Sequence, residues 1–196
     1  MRYIPRLFYD QFMAMRPRLP GLAVEMARSR LAESVCSEWR YRGPHRDTPA
    51  AGAGVNATAQ KFGDPATRIA RCGVWTVLLR PRQPTLGSLV LVCEEPVAAF
   101  GQVSSTGYAD LAQTTRRVES MLGAAFAHDK INYLMLMMVD PDVHFHVLPR
   151  YATPRQFAGQ TFADPAWPSA PDLGLDLALD AATQTALVEH LRSRWQ

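Results

Sequence analysis

The 196-residue sequence predicts an α+β domain with a largely antiparallel sheet, a helix between strands and a C-terminal helix. Two stretches rich in Val, Leu and Trp, residues 73–80 and 87–93, flank a Pro-containing turn and read as a strand pair. Residues 106–127 change to a helical period. Residues 142–148 then alternate strictly, the period of a strand with two different faces.

Taken in order, residues 1–20 mix Arg, Pro and aromatics without the continuous apolar stretch of a secretory signal. Residues 22–39 fit a helix with Val24, Leu31, Val35 and Trp39 near one face. Residues 43–58 are rich in Gly, Pro, Ala and Thr, read as a flexible linker, and divide an Arg-rich appendage at 1–54 from a folded unit at 55–196. The two strands beyond it form an antiparallel hairpin. In the following helix Leu111, Val118, Leu122, Ala125 and Phe126 share a face, Thr106 or Gly107 caps the start and Asp110 suits the first turn. The apolar run Ile131 to Val139 reads as a central strand covered on both sides, with Met135, Met137 and Met138 as core filling. Pro149 lacks the N–H a ladder needs and ends the strand that follows. The Pro- and aromatic-rich tail from Tyr151 to Pro171 reads as an ordered loop, and Asp180 caps a last helix that docks through Leu187, Val188, Leu191 and Trp195. His45 and His190 have no sequence partners and default to the surface, and His128 sits by a helix C-terminus.

Composition limits the functional classes. No apolar run approaches the roughly 18 residues that span a bilayer. Cys36, Cys72 and Cys93 form no Cys-x-x-Cys pair, which fits a reducing cytoplasm. Residues 1–54 hold nine Arg and five acidic residues, whereas the remainder is nearly neutral, with twelve basic and thirteen acidic residues. That body lacks the clustered basic face a nucleic-acid polymer calls for, but remains compatible with nucleotides.

The chemistry concentrates in Asp142-Val-His-Phe-His-Val-Leu-Pro-Arg150. On a strand, Asp142, His144, His146 and Leu148 share one face, so the two imidazoles stand side by side, spaced to grip a small anion or a metal ion. Val-His-Phe-His-Val-Leu-Pro-Arg resembles the end of the histidine triad (HIT) motif, His-φ-His-φ-His-φ-φ with φ apolar. Arg80-Pro-Arg-Gln-Pro-Thr-Leu-Gly-Ser88 resembles the upstream Pro-x-Thr-x-Gly-His segment of that family. The resemblance spans roughly residues 55–160. It departs from the pattern at Asp142, where the first triad histidine should stand, at Ser88 and Pro96, which replace two further histidines, and at Met137-Met138-Val139, which replaces a Gly-Gln-Ser/Thr segment.

The resemblance implies a HIT-like fold, a homodimer, and a nucleotide hydrolase or nucleotidyl transferase acting on dinucleoside polyphosphates or nucleoside phosphoramidates without a cofactor or obligatory metal. His144 would be the nucleophile and His146 would stabilise developing charge. Arg80, Arg82, Arg150, Asn132 and Asp142 are the candidate substrate-binding residues. An ionised Asp142 facing a phosphate at ~6 Å would repel it by ~3 kcal/mol unless the carboxylate turned toward a backbone N–H or an imidazole. A nucleotide-binding module impaired in turnover is therefore the first alternative. A divalent-metal site of Asp142, His144 and His146 is the second, although about 13 Å separates the ends of that stretch on a regular strand. The remaining alternative is two polar residues on a solvent-facing strand.

Overall fold

The computed structural model describes residues 56–174 and 177–196. The expected appendage, most of the linker, the helix over 22–39 and His45 lie outside these residues. A short helix, α1 (Ala57–Lys61), comes first, followed by strands β1 (Arg68–Cys72), β2 (Trp75–Leu79), β3 (Arg82–Gln83) and β4 (Leu89–Cys93). Helix α2 (Ser105–Phe126) leads to β5 (Lys130–Leu134) and β6 (His144–Arg150). The chain closes with β7 (Arg155–Phe157), β8 (Gln160–Phe162), β9 (Leu177–Ala178) and α3 (Ala181–Arg192). Five strands form an antiparallel sheet in the order β1-β2-β4-β6-β5. Short pairs β3-β9 and β7-β8 lie outside it.

Alternation sorts the sheet into two faces. Trp75, Val77, Leu79, Leu89, Leu91, Cys93, Val143 and Val147 enter the main core with Val118, Met121 and Leu122 of α2 and Leu187, Val188 and Leu191 of α3. The residues between them in sequence, Leu78, Val90 and Val92, point the other way and pack beneath Ala59 and Phe62. The indole Nε1–H of Trp75 donates to the carbonyl of Gly107 at 2.8 Å, drawing the start of α2 onto the sheet. A Cβ at Gly107 would lie 2.6 Å from Val103, so the packing of Val103 against the first turn of α2 requires glycine.

The hairpin forms as expected, with β2 and β4 in register from Trp75↔Cys93 to Leu79↔Leu89. Asp180 caps α3, its carboxylate accepting from the Thr183 N–H at 2.8 Å and the Thr183 hydroxyl at 2.9 Å. Several expectations need correction. The cap of α2 is Ser104, whose Oγ accepts from Gly107 N–H; the Asp110 carboxylate instead accepts from Val74 N–H, fastening the β1-β2 turn. The run Ile131 to Val139 is not a central strand, because β4 and β6 take the middle of the sheet and β5 is left at its edge. Its second half leaves the sheet: Met135 and Met137 touch the core, but Met138 is 91% exposed. Pro149 does not end β6, since Ile131↔Pro149 and Lys130↔Arg150 continue the pairing. Pairing with β4 stops at Val147, so Pro149 has a strand on one side only, where a missing N–H is tolerated.

The tail contains the β7-β8 hairpin, turned by Ala158 and Gly159, both at positive φ. His190 is not a bare surface residue; its ring stacks on Phe126 at 5.4 Å and meets Phe157 edge-on at 5.2 Å, and burial lowers its pKa. The end of the expected linker is ordered: Asn56 caps α1 and also donates its side-chain amide to the Cys93 carbonyl at 3.0 Å. Among the described residues no helix is long and apolar enough to cross a membrane. Because Leu187 is fully buried between α3 and the sheet, Leu187→Ala is expected to destabilise the fold by about 2–5 kcal/mol in urea denaturation.

Candidate active site

Strand β6 lies between β4 and β5, with His144 opposite Val92 and His146 opposite both Val90 and Leu134. This register turns both imidazoles to the face away from the main core, with their ring centroids 5.3 Å apart. Neither is solvated: His144 is 1% exposed and His146 is 8% exposed, which excludes a solvent-facing polar strand. Phe62 lies 6.2 Å from the His144 ring and 5.7 Å from the His146 ring. Phe62 is thus part of what shields these rings.

The two histidines differ in their hydrogen bonds. His144 Nδ1 lies 2.8 Å from the Asp142 carbonyl oxygen. A carbonyl only accepts, so Nδ1 carries the proton and Nε2 keeps its lone pair. His146 Nδ1 has no hydrogen-bond partner among the described residues, although it is buried. A buried polar atom without a partner is costly, and an arriving ligand can relieve that cost. Burial, then the neighbouring His144, Arg80 and Lys61, lower the His146 pKa to about 4 against the opposing pull of Asp140, so its ring is neutral at physiological pH.

Asp142 precedes β6, and its carboxylate is engaged by α1. Oδ2 accepts from the Thr58 hydroxyl at 2.7 Å and from the Thr58 N–H at 3.2 Å. The anion that threatened to repel a phosphate is thereby neutralised in part by the first turn of α1. With that carboxylate committed elsewhere, the Asp142–His144–His146 metal site is not assembled, and no three His, Cys, Asp or Glu among the described residues are grouped to hold a metal.

The other expected site residues divide by position. Arg80 follows β2 on the histidine face and is close enough to act on His146, and its Nη1–H donates to the Arg82 carbonyl. Arg82 is exposed on β3, which pairs with β9. Arg150 shares the histidine face but lies about 13 Å beyond His146 by strand rise. It is 3% exposed and donates to Asp164 through Nε at 2.6 Å and Nη2 at 3.0 Å, to Asn132 at 2.9 Å and to the Ser169 carbonyl at 3.1 Å. Asn132 and Asp164 thus both meet Arg150, and the structure does not bring Asn132 or Arg150 to the imidazoles. Ser88 is fully buried, its hydroxyl donating to the Thr85 carbonyl and its N–H to Gln83, while Pro96 is exposed beyond β4.

Lys61 and Phe62 were not among the expected site residues. Lys61 donates to Asp140 at 2.6 Å beside His146, and Phe62 touches both rings. The signal lay in Asn-Ala-Thr-Ala-Gln-Lys, a capping residue followed by helix formers, inside a stretch whose glycines and prolines suggested only a linker.

The five-stranded sheet with helices on one face and a histidine pair on the other is the fold of the histidine triad proteins. A histidine triad protein from Sinorhizobium meliloti is similar over 72% of this chain and 96% of its own, at 19% identity and a TM-score of 0.57. Another from Marinobacter aquaeolei VT8 is similar over 72% and 97%, at 18% identity and a TM-score of 0.57. A protein from Sulfolobus tokodaii, described as a hypothetical histidine triad nucleotide-binding protein, is similar over 65% and 82%, at 14% identity and a TM-score of 0.50. No family model and no curated protein matches the chain.

The buried His146 makes stability depend on pH. The unfolded imidazole takes up its proton near pH 6.5 and the folded one only near pH 4, so acidification through that interval favours the unfolded chain. His146 is expected to withdraw up to about 3 kcal/mol of stability between those pH values, and His146→Phe to remove that part of the acid-side decline in urea titrations.

Proposed function

We propose that this chain binds nucleotides and catalyses nucleotidyl transfer to water through His144, on dinucleoside polyphosphates or nucleoside phosphoramidates. The observation that carries this reading is the 2.8 Å contact from His144 Nδ1 to the Asp142 carbonyl, which leaves Nε2 with a free lone pair. Nε2 attacks the α-phosphorus and forms a P–N bond, while the bond to the leaving group breaks and its electron pair departs with that group, which takes a proton. Water then attacks phosphorus, loses a proton, and displaces the nucleoside monophosphate from Nε2. His146, neutral and with an unpartnered ring nitrogen, is suited to donate to a non-bridging phosphate oxygen as charge builds. Arg80 and Lys61 supply positive charge on the same side. The outer edge of β5 has no strand beside it among the described residues, and pairing of a second copy there would give a homodimer.

A second reading is a nucleotide-binding module without turnover. It is favoured by the burial of both imidazoles and by Ser88, whose hydroxyl is committed within its own turn. The deciding experiment is incubation with a diadenosine polyphosphate and with an adenosine phosphoramidate, with and without chelator. Hydrolysis predicts chelator-insensitive release of AMP, reduced by about three orders of magnitude or more in His144→Ala and by about a hundredfold in His146→Ala. Binding by calorimetry without AMP release would leave the second reading, and absence of both would overturn the nucleotide assignment.

A further inference from the structure

Asp142 performs two tasks with two different groups. Its carbonyl orients His144, and its carboxylate holds α1 through the Thr58 N–H and hydroxyl. Five residues of helix are too few to hold a position unaided, so α1 lies where its contacts place it. Those contacts are Asp142 with Thr58, Asp140 with Lys61, the Asn56 amide on the Cys93 carbonyl, and Ala59 with Phe62 against Leu78, Val90 and Val92. The far end of the segment is fastened separately. Thr67 donates its hydroxyl to the Phe62 carbonyl, and between them Gly63 adopts φ +87°, where a side chain would be strained. The segment is therefore joined to the body at 63–67, while its start is held by the Asp142 carboxylate together with the Asn56 amide.

We infer that Asp142 is the positioning residue of the site, latching residues 56–62 as a strap over the histidine pair while its carbonyl fixes the orientation of His144. Release of Thr58 frees the strap to swing about its fixed end at 63–67, and Phe62 leaves both imidazoles as its carbonyl parts from the Thr67 hydroxyl. Lys61 rides on the same strap and exchanges Asp140 for an incoming phosphate. The role in turnover rests on the nucleotidyl-transfer reading, but closure of the strap does not.

The test is carbethoxylation of the intact protein by diethyl pyrocarbonate, followed residue by residue by mass spectrometry, so no nucleotide is involved. His190, half-buried against Phe126 and Phe157 and remote in sequence from the strap, is the internal control. Thr58→Val and Asp142→Ala are each expected to speed modification of His144 and His146 by about tenfold, as loss of hydrogen bonds to a carboxylate predicts, with His190 unchanged. Asp142→Asn keeps an acceptor for Thr58 and should restore most of the protection. In Thr58→Val the imidazole nitrogen shifts in NMR should still report a proton on His144 Nδ1, because the Asp142 carbonyl is untouched. Acceleration that includes His190 means general unfolding, in which case Thr58→Val, which nearly preserves shape, decides. Unchanged reactivity of His144 and His146 in a folded Thr58→Val protein would overturn the latch. Loss of AMP release with the latch intact would overturn only the catalytic reading.

Discussion

The structure depends on β6 running inside the sheet, between β4 and β5, with a period of two. Val143 just before it and its odd-numbered residues Phe145 and Val147 join the core that α2 and α3 share. Its even-numbered residues are thereby committed to the opposite face, which leaves two imidazoles side by side under α1. A slip of one residue in β6 itself would turn its histidines into the main core and Phe145 to the opposite face. The geometry of the site and the cohesion of the core are consequences of one register.

Within that frame, charge is managed by direction. The chain places an aspartate next to a prospective anion site, yet only the backbone oxygen of Asp142 faces His144, while its carboxylate serves the first turn of a helix. The dipolar group sets a tautomer without adding a net charge. His146 complements this arrangement, being kept neutral by burial and by neighbouring positive charge. Two identical side chains two residues apart thus receive different roles from their surroundings.

The two-faced strand, the β2-β4 pair, the long helix and the capped last helix were all legible in the sequence, since each follows from local periodicity or capping chemistry. The resemblance at residues 144–150 located the histidine pair. What was not legible depends on contacts distant in sequence. Apolar content placed Ile131 to Val139 in the middle of the sheet, but strand order is a tertiary property and put β5 at the edge. The strand β1 was missed because Arg-Ile-Ala-Arg-Cys carries little period of its own and is defined by pairing with β2. The role of α1 escaped because Thr58 and Asp142, 84 residues apart, reveal each other only once folded.

Arg150 ends a segment whose wording resembles a signature of nucleotide chemistry, yet its guanidinium is spread over Asp164, Asn132 and Ser169. A buried cation of this kind is tolerable only beside its counterion. Arg150 and Asp164 therefore depend on each other, and the pair gives the loop over 151–171 a polar fixed point beside its buried Tyr151 and Phe162. Part of what reads as a catalytic motif is thus the mooring of a loop.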